Sequence, residues 1–237
     1  MIGWLGCAGL TAAGGLAWSV RGRSATLLAP SVWRGDPDRQ QVALTFDDGP
    51  SEATAEILDI LHQTGAQASF FQCGANVERL PEAAAAVSRA GHTIGNHTWS
   101  HTRLDFIPRA RMREEVGRAQ HTLKQVHGHA PRWFRAPFGV RWFGLGAVQN
   151  EFGLTGAMWS CIARDWTLDS RSITARVLRN AGNGSIICLH DGRELTPAPD
   201  VRTTIAAVKI ICAELQRRGM EMVTLDTMFP PDVEFRM

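Results

Sequence analysis

The feature that most constrains this chain is a regular alternation of short apolar runs with longer amphipathic stretches, which begins at Gln41. The short runs are rich in β-branched and aromatic residues and are bounded by turn residues, a pattern that predicts strands. They span residues 42–46, 68–72, 93–94, 133–134, 155–158, 185–189 and 222–225. Strands that alternate with helices form βαβ units and a parallel sheet. The sequence therefore predicts a single α/β domain, folded as an irregular barrel of about seven parallel strands.

The stretches between these runs predict the helices that cover the sheet, because their apolar residues recur three and four positions apart. They span residues 53–63, 81–90, 108–126, 142–151, 172–180 and 201–218. Gly65 follows the first of them and Gly219 the last, and glycine is a common signal for the end of a helix.

Composition excludes several classes of protein. The 237 residues are 44% hydrophobic and 20% charged, values of soluble globular proteins that exclude a disordered chain. The formal charge of +2 does not indicate a nucleic-acid partner. The five cysteines include no Cys-x-x-Cys pair, so a zinc ribbon is not indicated. Cys188 and Cys212 lie in apolar stretches and are expected to be buried, inert thiols.

The N-terminal segment, residues 1–20, carries no charge. A helix needs about 20 apolar residues to span a bilayer, so the segment is just long enough. A signal peptide would have positive charge before the apolar run, and here Arg21 and Arg23 follow it. We expect residues 1–20 to lie outside the fold as a membrane anchor, a degenerate signal or a tail. Residues 21–40 are expected to form a linker and residues 230–237 a second tail.

Reactive side chains are concentrated directly after the predicted strands, where the chemistry of parallel barrels is found. Asp47 and Asp48 follow the first strand, although by themselves they could be a helix cap and a turn. His97 and His101 follow the third strand, and their i, i+4 spacing suits one divalent metal. Asp48 is the candidate third ligand. Two imidazoles and one carboxylate leave coordination positions open, as in catalytic zinc sites.

Three further strand ends carry polar groups. Arg135 follows the fourth strand in Arg-Ala-Pro-Phe-Gly, where it could cap the barrel or hold a carboxylate. Asp165 and Trp166 follow the fifth strand, and Leu189-His190-Asp191 ends the sixth. A histidine at this place is well set to donate a proton.

Taken in order, the motifs TFDDGP, NHTWSH, RAPFG, RDW and LHD resemble those of the polysaccharide deacetylase family, the carbohydrate esterases with a NodB homology domain. The resemblance extends from about residue 42 to residue 225. It implies a distorted (β/α) barrel, with a catalytic domain over residues 41–229. It also implies a metal-dependent amide hydrolase that removes N-acetyl groups from amino sugars of a glycan and releases acetate.

The resemblance also implies a role for individual residues. The residues that match the metal ligands of the family are Asp48, His97 and His101. The metal is usually Zn²⁺, with Co²⁺, Ni²⁺ or Mn²⁺ also accepted. The residues that match its catalytic groups are Asp47 (general base), His190 (general acid), Arg135 (which orients the base) and Asp165 (which tunes the acid). Those that match its substrate-binding groups are Phe138 (a backbone N–H for the oxyanion), Trp166 and Leu189 (walls of the acetyl pocket).

Several alternatives stay open at this point. The chain could be an O-acetyl esterase on xylan, another amide hydrolase of the family, or an inactive sugar-binding envelope protein. Chitin oligomers, peptidoglycan and poly-N-acetylglucosamine share the reacting group. A glycan substrate predicts the cell envelope or the outside of the cell, whereas Arg21 and Arg23 favour a cytoplasmic orientation if residues 1–20 are an anchor. No nucleic-acid partner is expected, and a monomer is favoured.

Overall fold

The computed structural model describes residues 14–231, and the fold is built from nine strands and nine α-helices within that range. The strands are β1 (Ser31–Val32), β2 (Gln41–Asp47), β3 (Ala68–Gln72), β4 (Thr93–Asn96), β5 (Trp133–Phe134), β6 (Thr155–Ala157), β7 (Cys161–Ile162), β8 (Ser185–His190) and β9 (Glu221–Met222). The helices are α1 (residues 14–21), α2 (Thr54–Gln63), α3 (Gly74–Arg79), α4 (Pro81–Arg89), α5 (Arg109–His127), α6 (Leu145–Glu151), α7 (Ser170–Asn180), α8 (Arg202–Arg217) and α9 (Leu225–Met228). A short 3-10 helix covers Pro137–Gly139.

The strands form one parallel sheet that curls into an incomplete barrel. Their order is β1-β6-β5-β4-β3-β2-β8-β7, and β9 pairs with the start of β2. β1 and β7 end the order, and no pairing between them joins the sheet within residues 14–231. The predicted distorted (β/α) barrel in a single domain is therefore confirmed. Since all strands run the same way, the carboxyl ends of β2, β4, β5 and β8 lie at one rim.

The core has two layers because successive side chains of a strand point to opposite faces of the sheet. On the outer face, Phe46 and Phe70 stack at 4.9 Å between ring centroids, within a cluster that packs against the helices. On the inner face, Ala43 and Ile186 pack with Phe71 and Trp133 inside the barrel. This inner face supplies the floor of the candidate site.

The structure differs from the predicted strands at three places. β1 and β7 have two residues each, too few to show a period of two in the sequence. The predicted strand over residues 222–225 is shorter, because Thr224 caps α9 by accepting a hydrogen bond from the Thr227 backbone N–H. α3 was not predicted, since its six residues are too short for an amphipathic pattern.

The segment predicted as a linker is part of the fold. Ser31–Val32 pairs in parallel with β6, and the Gly35 backbone N–H donates to the Gly184 carbonyl. The predicted linker over residues 21–40 is therefore corrected. Its Pro and Gly residues are typical of a linker, but they also occur where a chain packs tightly at the edge of a sheet.

The residues before β1 also pack on the domain. Val20, at the end of α1, forms a small buried cluster with Leu28 and Val140. The predicted position of residues 1–20 outside the fold is thus wrong for the end of α1. Residues 1–13 and 232–237 lie outside the described residues. The predicted anchor therefore stays a prediction, and so does the predicted C-terminal tail beyond residue 231. Within residues 14–231, no helix is both long and apolar enough to cross a membrane.

Candidate active site

Three buried side chains from the ends of two strands, β2 and β4, converge at the rim of the barrel. Asp48 directly follows β2, and His97 and His101 follow β4. The Nε2 atoms of His97 and His101 lie 3.4 and 3.0 Å from Asp48 Oδ1, respectively. One ligand atom of each residue falls within 4.8 Å of the others. Asp48 and His101 have φ of 73° and 55°, a left-handed backbone that is costly outside glycine and is often found at functional sites.

The surroundings of this triad fit a divalent cation. The His97 Nδ1 atom lies 2.7 Å from the Arg135 carbonyl, so it carries the proton and leaves the Nε2 lone pair free for a metal. Asp48 Oδ1 is buried and makes no hydrogen bond to any described residue. Burial raises the pKa of Asp48, but the adjacent imidazoles of His101 and His97 outweigh it and hold the pKa well below its usual value. A charged carboxylate beside two imidazoles is the donor set of a catalytic zinc site.

Asp47, the last residue of β2, is held by a buried arginine. One Nη atom of Arg135 donates to Asp47 Oδ1 at 2.6 Å and to Thr45 Oγ1 at 2.7 Å. The same guanidinium donates to the carbonyls of Ala157 and Met158, so its position is determined by four contacts. The other oxygen of Asp47 is 3.5 Å from the Cys188 thiol. Asp47 is thereby oriented at the rim with its charge balanced.

His190, the last residue of β8, is paired with a buried carboxylate. Its Nδ1 donates to Asp165 Oδ1 at 2.8 Å, and its backbone N–H donates to Asp165 Oδ2 at 3.0 Å. The Thr204 hydroxyl donates to the same Oδ2. Burial lowers the pKa of His190, but the charge and hydrogen bond of Asp165 outweigh it and raise the pKa to about 9. The imidazole is therefore a cation at neutral pH, and its Nε2–H is available for proton donation.

These groups share a single cleft of about 540 Å³. The predicted site residues that line the cleft are Asp47, Asp48, His97, His101, Phe138, Trp166 and His190. Arg135 and Asp165 lie buried behind them and contact Asp47 and His190. The Phe138 ring contacts His101 at 4.7 Å, and the Trp166 ring meets His190 edge-on at 5.2 Å between centroids.

Leu189 does not line the cleft, in contrast to the prediction that it forms a wall of the acetyl pocket. It is fully buried and packs on the outer face of the sheet with Phe46. The physical reason is strand alternation, because Cys188 and His190 point to the inner face and the residue between them points outward. Cys188 lines the cleft instead. Burial, and then Asp47, raise the pKa of the Cys188 thiol well above its usual value, so this thiol is neutral.

Other residues of the cleft were missed at the level of sequence. Trp159 lines it and follows β6, so its position after a predicted strand was a usable signal. Arg193 and Glu194 line it from the loop after β8, where no motif distinguishes them. Asn76 of α3 lies beneath this loop, and its amide donates to the backbone carbonyls of Asp48 and Glu194. This contact connects the turn at Asp48, a candidate metal ligand, to the loop that closes one side of the cleft.

A family model supports the chemistry that these groups suggest. The model described as "Polysaccharide deacetylase" matches residues 34–157. This range contains β2 to β6 and therefore Asp47, the three candidate metal ligands and Arg135.

Individual relatives cover most of the chain. The peptidoglycan-N-acetylglucosamine deacetylase of Bacillus cereus is 34% identical over 211 residues, which are 86% of this chain and 73% of the relative. The chitooligosaccharide deacetylase of Azorhizobium caulinodans is 34% identical over 197 residues, 79% of this chain and 94% of the relative. Among solved structures, a peptidoglycan N-acetylglucosamine deacetylase in complex with a naphthyl benzamide ligand superposes with a TM-score of 0.79. It is 33% identical, and the match covers 84% of this chain and 92% of that one.

Proposed function

Because this chain belongs to the polysaccharide deacetylase family, we propose that it removes acetyl groups from N-acetylglucosamine residues of a glycan and releases acetate. The observation that carries this proposal is the convergence in one cleft of the Asp48, His97 and His101 triad with two oppositely charged groups, Asp47 and His190. A base, an acid and a metal site around one cavity are the groups that amide hydrolysis requires.

The proposed roles follow from the contacts of each residue. Asp47 accepts a proton from the attacking water, and Arg135 holds its carboxylate in the orientation that this transfer needs. The backbone N–H of Phe138 donates to the oxyanion that develops on the carbonyl oxygen of the acetyl group. His190 then gives its Nε2 proton to the amide nitrogen, while Asp165 keeps the imidazole protonated and correctly turned. The amine leaves as a neutral group and acetate remains.

The metal is proposed to be Zn²⁺, since two imidazoles and one carboxylate form the donor set of many catalytic zinc sites, and Co²⁺, Ni²⁺ or Mn²⁺ could replace it. Asp48, His97 and His101 would hold it. When bound, it supplies a Lewis acid that polarises the acetyl carbonyl and makes the attacking water more acidic.

The protonation state of His190 favours amide hydrolysis over hydrolysis of an O-acetyl ester. An amine is a very poor leaving group unless its nitrogen is protonated, so the reaction needs an acid that is still charged at neutral pH. The Asp165 carboxylate provides this by raising the pKa of His190 to about 9. An esterase on xylan, whose alcohol leaves more easily, has less need of such an acid.

We assign residues 41–229 to the catalytic domain and add the edge strand β1 to the same unit. The relatives are named for peptidoglycan and for chitooligosaccharides, and both contain N-acetylglucosamine. The substrate is therefore proposed to be one of these glycans or poly-N-acetylglucosamine. Since such polymers lie at or beyond the cell surface, we propose a location in the cell envelope or outside the cell.

The test of this function is the Asp47→Asn variant. Asparagine keeps the size of the side chain but cannot accept the water proton. We expect bound metal to be unchanged and acetate release from N-acetylglucosamine oligomers to fall by at least about a hundredfold. Metal content and acetate are measured on the same preparation.

Asp38→Asn is the matched control, because Asp38 is exposed and precedes β2, whose opposite end carries Asp47. Full activity of Asp47→Asn would refute the role of Asp47. No acetate release from any of the three glycans by the wild-type protein would refute the proposed function.

A further inference from the structure

Two loops beside the cleft carry large apolar side chains that the proposed chemistry does not use. The first loop follows β4 and His101, and the second follows β5 and Phe138. On these loops Phe106 is 81% exposed and Phe143 is 57% exposed. Large apolar side chains that cluster on a surface mark a binding site more often than isolated ones do.

The contacts begin at the candidate metal site and lead outward. The Phe138 ring, 52% exposed, contacts His101, and the Arg103 guanidinium lies 5.9 Å from the centroid of the same ring. Arg103 forms a two-contact ion pair with Asp105, at 3.0 and 2.5 Å. A polar pair of charged groups therefore lies next to the first exposed ring.

A second group of aromatic contacts begins at the residue that follows Asp105 in the chain. Phe106, the residue after Asp105, packs against Trp142 with ring centroids 4.5 Å apart. Trp142 meets Phe143 edge-on at 5.4 Å. Trp142 also packs against the buried cluster of Val20, Leu28 and Val140, so it is supported from below. We call the set Phe138, Arg103, Asp105, Phe106, Trp142 and Phe143 the aromatic row.

Folding explains neither the backbone conformation nor the exposure of Phe106. Its φ of 61° places a bulky side chain in the left-handed region, where glycine or asparagine would be less strained. Its exposure of 81% means that little burial of the ring offsets this cost. A strained backbone together with an exposed apolar ring is more consistent with a role in binding than with a role in folding.

We propose that the aromatic row binds the sugar rings of a glycan strand that extends out of the cleft from the reacting residue. This inference rests on the proposed function and deepens it. The faces of pyranose rings present C–H groups that pack on aromatic rings, while the half-exposed Arg103 guanidinium, which Asp105 holds in place, offers hydrogen bonds to the hydroxyls at the ring edges.

The dimensions of the loop agree with a strand of several sugars. Trp142 is four residues from Phe138, so their Cα atoms are at most about 14 Å apart. The row therefore begins at the reacting residue and ends within reach of the next few sugars of the same strand. The preferred substrate is consequently an oligomer or polymer, and a disaccharide would leave the outer rings without a partner.

A lipid surface is the competing occupant of exposed aromatic residues. The glycan is favoured because Phe138, the first ring of the row, lines the cleft and contacts His101, so the row begins where the proposed substrate is bound.

The experiment compares hydrolysis of N-acetylchitohexaose with that of N,N′-diacetylchitobiose. The test protein is the double variant Phe106→Asn with Phe143→Ser, which removes two exposed rings and leaves the supported Trp142 in place. Ile210→Ser is the matched control, because Ile210 is 51% exposed on α8 and belongs to no part of the cleft. Direct binding of chitohexaose is measured by calorimetry, and binding to phosphatidylcholine–phosphatidylglycerol vesicles by sedimentation.

In the double variant we expect the ratio of kcat/KM for the hexamer to that for the dimer to fall about tenfold, mainly through KM. Chitohexaose binding should weaken by a similar factor, and Ile210→Ser should match the wild type. An unchanged ratio together with unchanged binding would overturn the inference while acetate release by the wild type upholds the proposed function. Weaker hexamer binding without any acetate release by the wild type would instead uphold the aromatic row and refute the proposed function. Loss of vesicle binding with an unchanged ratio would assign the row to a lipid surface and overturn the inference.

Discussion

At the residue scale, Asp47 and Asp48 show how adjacent carboxylates receive different surroundings. In an extended strand their side chains would point to opposite faces of the sheet. The φ of 73° at Asp48 ends this alternation and turns the second carboxylate toward His97 and His101, while Asp47 stays on Arg135. One carboxylate thus faces the two imidazoles of the candidate metal site, and its neighbour is paired with a fixed cation. The backbone conformation of a single residue separates the two proposed roles.

The Asp165→Asn variant tests how His190 is kept protonated. A general acid works only while protonated, so activity is present below its pKa and is lost as the pH rises through it. Burial lowers the pKa of His190, and Asp165 provides the largest opposing effect that raises it to about 9. Removing this charge should move the alkaline limb of the kcat/KM profile to lower pH by about one unit or more.

The matched control for this pH profile is Asp200→Asn, because Asp200 is exposed and pairs only with Arg202 on the surface. Its profile should overlay that of the wild type. An alkaline limb that stays in place in Asp165→Asn would show that Asp165 does not set the protonation of His190.

At the scale of elements, the segment before β2 forms an edge of the barrel. β1 pairs with β6, and the backbone N–H of Met158 donates to the Val32 carbonyl just beyond the pair. Met158 in turn accepts from Arg135, which holds Asp47. The N-terminal segment therefore supports the floor of the cleft through the end of β6, although none of its described residues lines the cleft.

Arg141 joins this segment to the loop after β5, and Arg141→Ala should release it. The buried guanidinium donates to the backbone carbonyls of Gly22 and Ala25. Its loss leaves the Ala25 carbonyl without this donor, whereas the Gly22 carbonyl keeps the hydrogen bond from the Ala25 backbone N–H. The free energy of unfolding, measured with urea, should fall by about 2–4 kcal/mol, and limited proteolysis should begin to cut near residue 25.

Arg202→Ala is the control, since Arg202 makes only an exposed ion pair with Asp200. Such pairs contribute about 0–1 kcal/mol. Equal stability of Arg141→Ala and the wild type would show that the segment is held by other contacts.

At the scale of the whole molecule, the candidate metal site brings together residues that are far apart in the chain. Asp48 lies after β2, and both histidines lie after β4, with β3 between these two strands in the sheet. The loop after β8 closes the other side of the cleft. There the Glu194 backbone N–H donates to Asp48 Oδ2, although the two residues are 146 positions apart in the chain. The site therefore exists only when the barrel has formed.

Metal removal should consequently lower the stability of the folded protein. A ligand that binds the native but not the unfolded state contributes about 2.7 kcal/mol at a concentration 100 times its Kd. For a chain of this size the melting temperature should fall by about 5–10 °C after treatment with a chelator and should recover on addition of Zn²⁺. Differential scanning calorimetry measures both changes.

The His101→Ala variant should show no such recovery, and His129→Ala, which changes an exposed histidine, should behave as the wild type does. A wild-type melting temperature that is indifferent to both chelator and Zn²⁺ would contradict the proposed metal site.

The sequence by itself determined the fold class, the family and the residues that could react. These depend on local patterns: the periodicity of apolar residues, turn residues at strand ends, and polar groups placed directly after strands. Because parallel strands bring their carboxyl ends to one rim, these local patterns were enough to predict that Asp48, His97 and His101 would lie close together.

Only the tertiary structure decided what depends on contacts between distant segments. It placed Leu189 on the outer face and Cys188 in the cleft, joined β1 to the sheet, and packed Phe106 against Trp142. Two-residue strands carry no detectable period, and the exposure of an aromatic ring depends on which loops pack beside it. The candidate reacting groups can thus be recognised from local sequence patterns. The surface proposed to bind the rest of a glycan is formed by tertiary packing between distant segments.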